Sequence, residues 1–276
     1  MKVLLVFALI ALASANGYTI NKDEPVLLKD LSVEDNGEIN GRITNGLQAS
    51  ENEFPYQVGL SLKKTLSSSW CGGSLIAKNW VLTAAHCTNG VSSVTVYLGA
   101  TVRTVAKITH TVSASNIHQH AGYNPTTLLN DVSLIQIPTV EETDSIQVIK
   151  LPSIASSYST YSGSYAIASG WGRTSDSSSV ATNLNYAVLP IITNTKCALT
   201  YGSSVVTSGT ICVSTPSGVS TCQGDSGGPL VLESDRILVG VTSFVSSNGC
   251  ASGAPAGFAR VTNFLPWIKE ISGIYY

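Results

Sequence analysis

A hydroxyl, an imidazole and a carboxylate, each in an unusual local setting, are the groups in this 276-residue chain that could do chemistry together. Ser226 stands in Gly224-Asp225-Ser226-Gly227-Gly228-Pro229. Glycines on both sides let the backbone turn sharply and let a carbonyl group approach two backbone N–H groups. His86 follows the apolar run 80–84 in Thr83-Ala84-Ala85-His86-Cys87, beside a cysteine able to pin it covalently. Asp131 opens another apolar run in Asn130-Asp131-Val132-Ser133-Leu134. A carboxylate buried there is costly alone, and a hydrogen bond from His86 would remove the cost. Taken singly, Ser226 reads as a Gly-rich turn and His86 as a structural histidine. Together the three have the composition of a nucleophile, a general base and the group that orients the base, which is the chemistry of acyl transfer.

Such groups need rigid elements to hold them. Short runs rich in Val, Ile, Leu and Thr at 56–62, 80–84, 94–98, 132–137 and 237–244 are separated by Gly, Ser and Asn clusters, the rhythm of an all-β protein. The Ser/Tyr-rich stretch 153–164 is a candidate linker between two β units. One helix closes the chain: Asn263 can cap it, Pro266 suits its first turn, and Phe264, Trp267, Ile268 and Ile271 share a face expected to pack on the β core.

Composition excludes some partners. Only 12% of residues are charged, the net charge is -2, and no run of like charge offers a surface to nucleic acid or an acidic membrane. The imbalance sits before residue 43: residues 1–42 hold four Lys/Arg against six Asp/Glu, whereas 43–276 hold eleven of each. Lys2, an apolar run over 3–11 and Ala13-Ser14-Ala15 read as a signal peptide over 1–15, since the run is far shorter than the roughly 20 residues that span a bilayer. Secretion is therefore expected. Residues 16–42 are polar and acidic and end at Gly41-Arg42, which reads as a pro-segment ahead of a domain over 43–276. The six cysteines are an even set suited to an oxidising compartment, and fifteen pairings are open to them. No C-x-x-C pair and no histidine cluster suggests a metal site.

The segments around His86, Asp131 and Ser226, in that order, resemble the chymotrypsin-like, trypsin-fold family of secreted serine proteases, in its chymotrypsin/elastase-like branch. Further matching pieces are Arg42-Ile43-Thr44-Asn45-Gly46, Trp70-Cys71-Gly72-Gly73-Ser74-Leu75, Ser169-Gly170-Trp171-Gly172 and Gly257-Phe258-Ala259-Arg260-Val261, so the resemblance covers 43–276. It implies an all-β fold of two packed six-stranded antiparallel barrels with a C-terminal helix. His86 and Asp131 would come from the first barrel and Ser226 from the second. It implies disulfides Cys71–Cys87, Cys197–Cys212 and Cys222–Cys250, and an oxyanion hole from the N–H groups of Gly224 and Ser226. A cut after Arg42 would free the Ile43 amine to pair with Asp225.

By the same resemblance Ser220 is the floor of the primary pocket, Val245 and Ala256 are its walls, and Ser243 also binds substrate. A neutral floor favours apolar P1 residues, P1 being the residue on the acyl side of the cut bond. No cofactor is implied, and the stretch between Gly99 and His110, where calcium-binding members carry acidic ligands, has Arg103 and Lys107 and no carboxylate. The implied partners are protein or peptide substrates, a trypsin-like activating protease and protein inhibitors, with no nucleic acid and no membrane, around a monomeric digestive enzyme. The competing expectation is a catalytically silent secreted homologue acting as a binding module, although such relatives usually lose a triad member.

Overall fold

The structure is a computed structural model that describes residues 23–28 and 43–276. The expected signal peptide over 1–15 lies outside the described residues, as does all of the expected pro-segment but 23–28, Arg42 included. Among the described residues no helix is long and apolar enough to cross a membrane.

The strands are β1 (Pro25–Leu27), β2 (Leu47–Gln48), β3 (Gln57–Lys63), β4 (Ser68–Ala77), β5 (Trp80–Thr83), β6 (Ser93–Leu98), β7 (Ile108–Ser113), β8 (Ile117–Gln119), β9 (Ser133–Gln136), β10 (Tyr165–Gly170), β11 (Asn185–Ile192), β12 (Thr210–Val213), β13 (Pro229–Leu232), β14 (Leu238–Ser246) and β15 (Ala256–Arg260). The helices are α1 (Ala85–Thr88), α2 (Asn194–Tyr201) and α3 (Val261–Ser272).

The first sheet runs β7-β6-β3-β4-β5-β9-β8 and is antiparallel throughout. Its two edges, β7 and β8, are successive pieces of one run of chain, divided by a 3-10 turn at Ala114–Asn116. The sheet is a curled half-barrel whose edges are joined by this bent run, and it has six strands when the run is counted once. The alternation in β6 shows why it curls around a core: Val94, Val96 and Leu98 point inward, and Ser93, Thr95 and Tyr97 are only half-buried. The second sheet, β14-β13-β10-β11-β12-β15, closes fully because β15 pairs back on β14. β2 is added beside β11 and β1 beside β14.

Each unit buries its own apolar set, Leu60, Leu62, Leu82 and Leu134 in the first and Leu189, Ile211, Leu230 and Phe258 in the second. Each such side chain contributes about 1.5–3 kcal/mol. Disulfides join Cys71 to Cys87, Cys197 to Cys212 and Cys222 to Cys250, closing short loops worth about 2–4 kcal/mol each. The stretch 153–164 belongs to the irregular connection from the first sheet to β10.

The closing helix departs from the expected start. Strand β15 hands over to α3 with no loop between them, so the helix begins at Val261, Asn263 is already inside it, and Pro266 falls in its second turn. An interior proline loses the bond its N–H would have made. The face that holds the helix is the expected one, with Phe264 and Ile268 buried and Trp267 and Ile271 half-buried.

Candidate active site

His86 sits in the single turn of α1, three residues after β5 ends, and Asp131 lies two residues before β9. β5 and β9 are ladder partners, Thr83 opposite Ser133, so the sheet itself brings the two side chains together. Asp131 Oδ1 accepts the His86 backbone N–H at 2.8 Å, and Oδ2 faces His86 Nδ1 at 2.7 Å. A third donor comes from the other barrel: Ser243 Oγ donates to Oδ2 at 2.6 Å. Burial pushes the Asp131 carboxyl up, but the His86 charge and the donors on His86 and Ser243 outweigh it and hold the group below its ordinary value. An ionised carboxylate can only accept, so His86 Nδ1 carries the proton and Nε2 is left as the basic nitrogen.

Ser226 is positioned by a tight backbone loop wedged against the first barrel. Its carbonyl accepts Gly72 N–H at 2.7 Å, Gly227 N–H bonds to Thr242 O at 2.8 Å, and Asp225 N–H bonds to Cys222 O at 2.9 Å. Gly224 and Gly227 have φ of +98° and +74°, in the left-handed region that only glycine adopts without strain. At Gly227 the space is needed too, because a side chain there would run into Thr83 Oγ1, the Gly72 carbonyl and Ala84 N. Thr83 and Ala84 lead directly into α1, so the loop abuts the segment that carries His86. Ser226 is buried and its Oγ has no hydrogen-bond partner among the described residues. The His86–Ser226 hydrogen bond is thus not made in this state; such bonds commonly tighten only around substrate. The N–H groups of Gly224 and Ser226 are used by no backbone bond among the described residues.

Asp225 is fully buried next to Ser226. Its oxygens accept Gly172 N–H at 2.7 Å and Cys222 N–H at 2.9 Å, and Gly170 and Gly172 leave the carboxylate the room that side chains would fill. Burial dominates, and the two backbone donors only partly offset it, so its pKa is pushed up to about 7. Ile43 is wholly buried in the second barrel's apolar cluster, and Thr44 O accepts Ser220 N–H at 3.2 Å. The chain is uncut here, so residue 43 carries an amide nitrogen and no ammonium faces Asp225.

Ser220, Val245 and Ala256 are all buried, and Val245, Ala256, Cys222 and Cys250 share one apolar cluster. The Ser220 hydroxyl donates to Thr221 O at 3.1 Å. Three further contributors escaped the sequence reading in their roles: Gly72, which holds the Ser226 carbonyl; Gln57, whose amide oxygen accepts Ser169 Oγ at 2.7 Å across the two barrels; and residues 23–28, which lie along β14. Only Gly72 had a local signal, the glycine pair in a strand-like run.

The profile of the Trypsin family matches residues 43–268. Serine protease 1 of Drosophila melanogaster is 48% identical over 239 residues, covering 87% of this chain and 89% of that protein. Collagenase of Hypoderma lineatum is 43% identical over 279 residues, covering all of both chains. A solved structure of HL collagenase superposes with a TM-score of 0.78 at 43% identity, over 84% of this chain and 99% of that one. With that fold and that breadth of match, the chain belongs to the trypsin family and is a serine endopeptidase of the chymotrypsin-like kind.

Proposed function

We propose that His86, Asp131 and Ser226 are the catalytic triad of a secreted digestive endopeptidase, made as an inactive precursor, released by a cut after Arg42 and selective for apolar P1 residues. The observation that carries this reading is the three-donor grip on Asp131, which sets the His86 tautomer, together with a buried serine hydroxyl that has no partner among the described residues. His86 Nε2 removes the Ser226 proton as Oγ attacks the substrate carbonyl. Asp131 stabilises the imidazolium that forms, and the N–H groups of Gly224 and Ser226 hold the oxyanion. His86 then protonates the leaving amine, and water releases the acyl group by the same relay.

Activation follows from Asp225. A cut after Arg42 by a trypsin-like protease gives Ile43 an ammonium group, the natural partner for a buried carboxylate flanked by Gly224 and Ser226. The P1 preference follows from Ser220: an Arg or Lys side chain at that floor would meet a neutral hydroxyl already bonded to Thr221 O, and a buried unpaired cation costs several kcal/mol. Val245 and Ala256 narrow the pocket, favouring Leu and Met and tolerating Ala or Val, with Phe or Tyr possible and Trp poor. The enzyme works as a monomer on protein substrates and is open to protein inhibitors of the same cleft.

The test is Ser226→Ala in the cut enzyme. The expected result is a fall in kcat on the order of 10⁵–10⁶ with unchanged near-UV circular dichroism. Retained activity would remove Ser226 from the mechanism, and loss of the fold would make it a structural residue.

A further inference from the structure

A stretch of chain ahead of residue 43 lies along β14, the strand that carries Ser243 and Val245. β1 pairs antiparallel with β14, Pro25 opposite Ser246, Val26 opposite Val245 and Leu27 opposite Phe244. Two contacts extend the pairing backwards. Ser247 N–H donates to Glu24 O at 2.8 Å, and the Asn248 side-chain amide donates to the Asp23 carboxylate. Hydrogen-bonded pairs alternate with non-bonded ones along an antiparallel ladder, so the Glu24–Ser247 bond makes Val26 and Val245 the next bonded pair. Continued by one residue, the register sets Leu28 against Ser243, whose hydroxyl grips Asp131. The strand thus runs toward Ser243 and, through that hydroxyl, toward Asp131.

A tail lying on a sheet edge by chance would leave its apolar side chains wet. Leu27 and Leu28 are instead 2% and 0% exposed. Leu28 belongs to the same apolar cluster as Cys222, Val245, Cys250 and Ala256, the side chains around the proposed primary pocket. Removing two leucines from water favours the contact and opposes the cost of ordering the segment.

We infer that residues Asp23–Leu28 are a tethered occupant of the substrate cleft, held in the register of a substrate with Leu28 in the primary pocket. This rests on the reading of Ser220, Val245 and Ala256 as that pocket, and it adds two things. The uncut chain carries a second lock besides the missing Ile43 ammonium, and a peptide of the type Pro-Val-Leu-Leu is a ligand of the cut enzyme. Fourteen residues, 29–42, join Leu28 to Ile43. A covalent link of that length gives an effective concentration on the order of 1 mM, so even a Kd of about 100 μM keeps roughly nine-tenths of the precursor occupied. No cysteine precedes Cys71, so no disulfide retains the segment after a cut at Arg42. One cleavage then releases both locks.

The test uses the Ser226→Ala precursor before and after trypsin cleavage at Arg42, with fluorescein-labelled Asp-Glu-Pro-Val-Leu-Leu amide as the probe and fluorescence anisotropy as the readout. The cut protein is expected to bind the probe with a Kd of about 10–300 μM, and the uncut protein at least tenfold more weakly. Adding Leu28→Asp to the uncut protein should raise probe binding at least tenfold over the uncut parent, with near-UV circular dichroism confirming the fold. A probe carrying Val26→Pro, which lacks the ladder N–H, should bind at least tenfold more weakly. Failure of the cut protein to bind the probe overturns the inference, as does an uncut Leu28→Asp protein that binds no better than its parent. A P1 panel on the active cut enzyme separates the two readings. Dominant cleavage after Arg removes the pocket and this inference with it, whereas an enzyme that cuts after Leu and ignores the hexapeptide overturns the tethered occupant alone.

Discussion

Raising the pH from 5 to 8 is expected to weaken the fold of the uncut chain, with Asp225 as the cause. The carboxyl is fully buried, accepts only two backbone N–H groups, and has its pKa pushed up to about 7 from an ordinary 3.8. A group whose folded value is raised stabilises the fold at low pH, where it is protonated in the folded state, and that stabilisation is lost as pH climbs through the folded value. Between pH 5 and 8 the loss is on the order of 2–3 kcal/mol, a sizeable part of a typical domain's stability. The assay is urea unfolding of the uncut chain at pH 5, 6, 7 and 8, in a Ser226→Ala background to prevent autolysis. Asp225→Asn should flatten the profile. Cleavage at Arg42 should flatten it too, because an ammonium facing Asp225 draws the carboxyl pKa down. A pH-independent parent, or a slope that survives Asp225→Asn, would refute the reasoning.

Gly72→Ala should lower kcat on the order of 10²-fold with little change in KM, because the new Cβ would lie 2.9 Å from Gly228 Cα and push the Ser226 loop from its seat; steady-state kinetics on the cut enzyme checks this. Val245→Gly should shift cleavage from Leu toward Phe and Trp at P1 by about 10-fold, read from matched peptides carrying Arg, Phe, Leu, Ala or Trp. An Arg42→Ala precursor should stay inactive after trypsin treatment, whereas the parent should yield a new N-terminus reading Ile-Thr-Asn-Gly.

The residues proposed to carry the chemistry were more legible in the sequence than the contacts that hold them. His86, Asp131 and Ser226 were legible because a glycine-flanked serine, a histidine beside a cysteine and an aspartate entering an apolar run are each unusual locally. The strands were legible where period-two alternation was clean, as in β6. The start of α3 was not, because Asn263 is a good capping residue by type, yet the direct hand-over from β15 puts the helix cap at Arg260, three residues earlier. The grip of Ser243 on Asp131 and of Gly72 on Ser226 joins residues 112 and more than 150 positions apart, and no local pattern encodes such contacts. Residues 23–28 looked like part of a polar leader, since two leucines and a valine among acidic residues make no recognisable period until β14 supplies the partner strand.

Among the bonds that cross between the two barrels, three lie at the proposed catalytic groups or their immediate surroundings: Gly72 to Ser226, Ser169 to Gln57 and Ser243 to Asp131. An endopeptidase works among copies of itself, and each copy is a potential substrate for the next. Parting the halves enough to offer a backbone segment to a neighbour would also break the contacts that aim Ser226 and Asp131. A molecule caught open is therefore prey but no longer predator. Self-digestion then consumes molecules that have already lost activity, and the surviving population stays fully active.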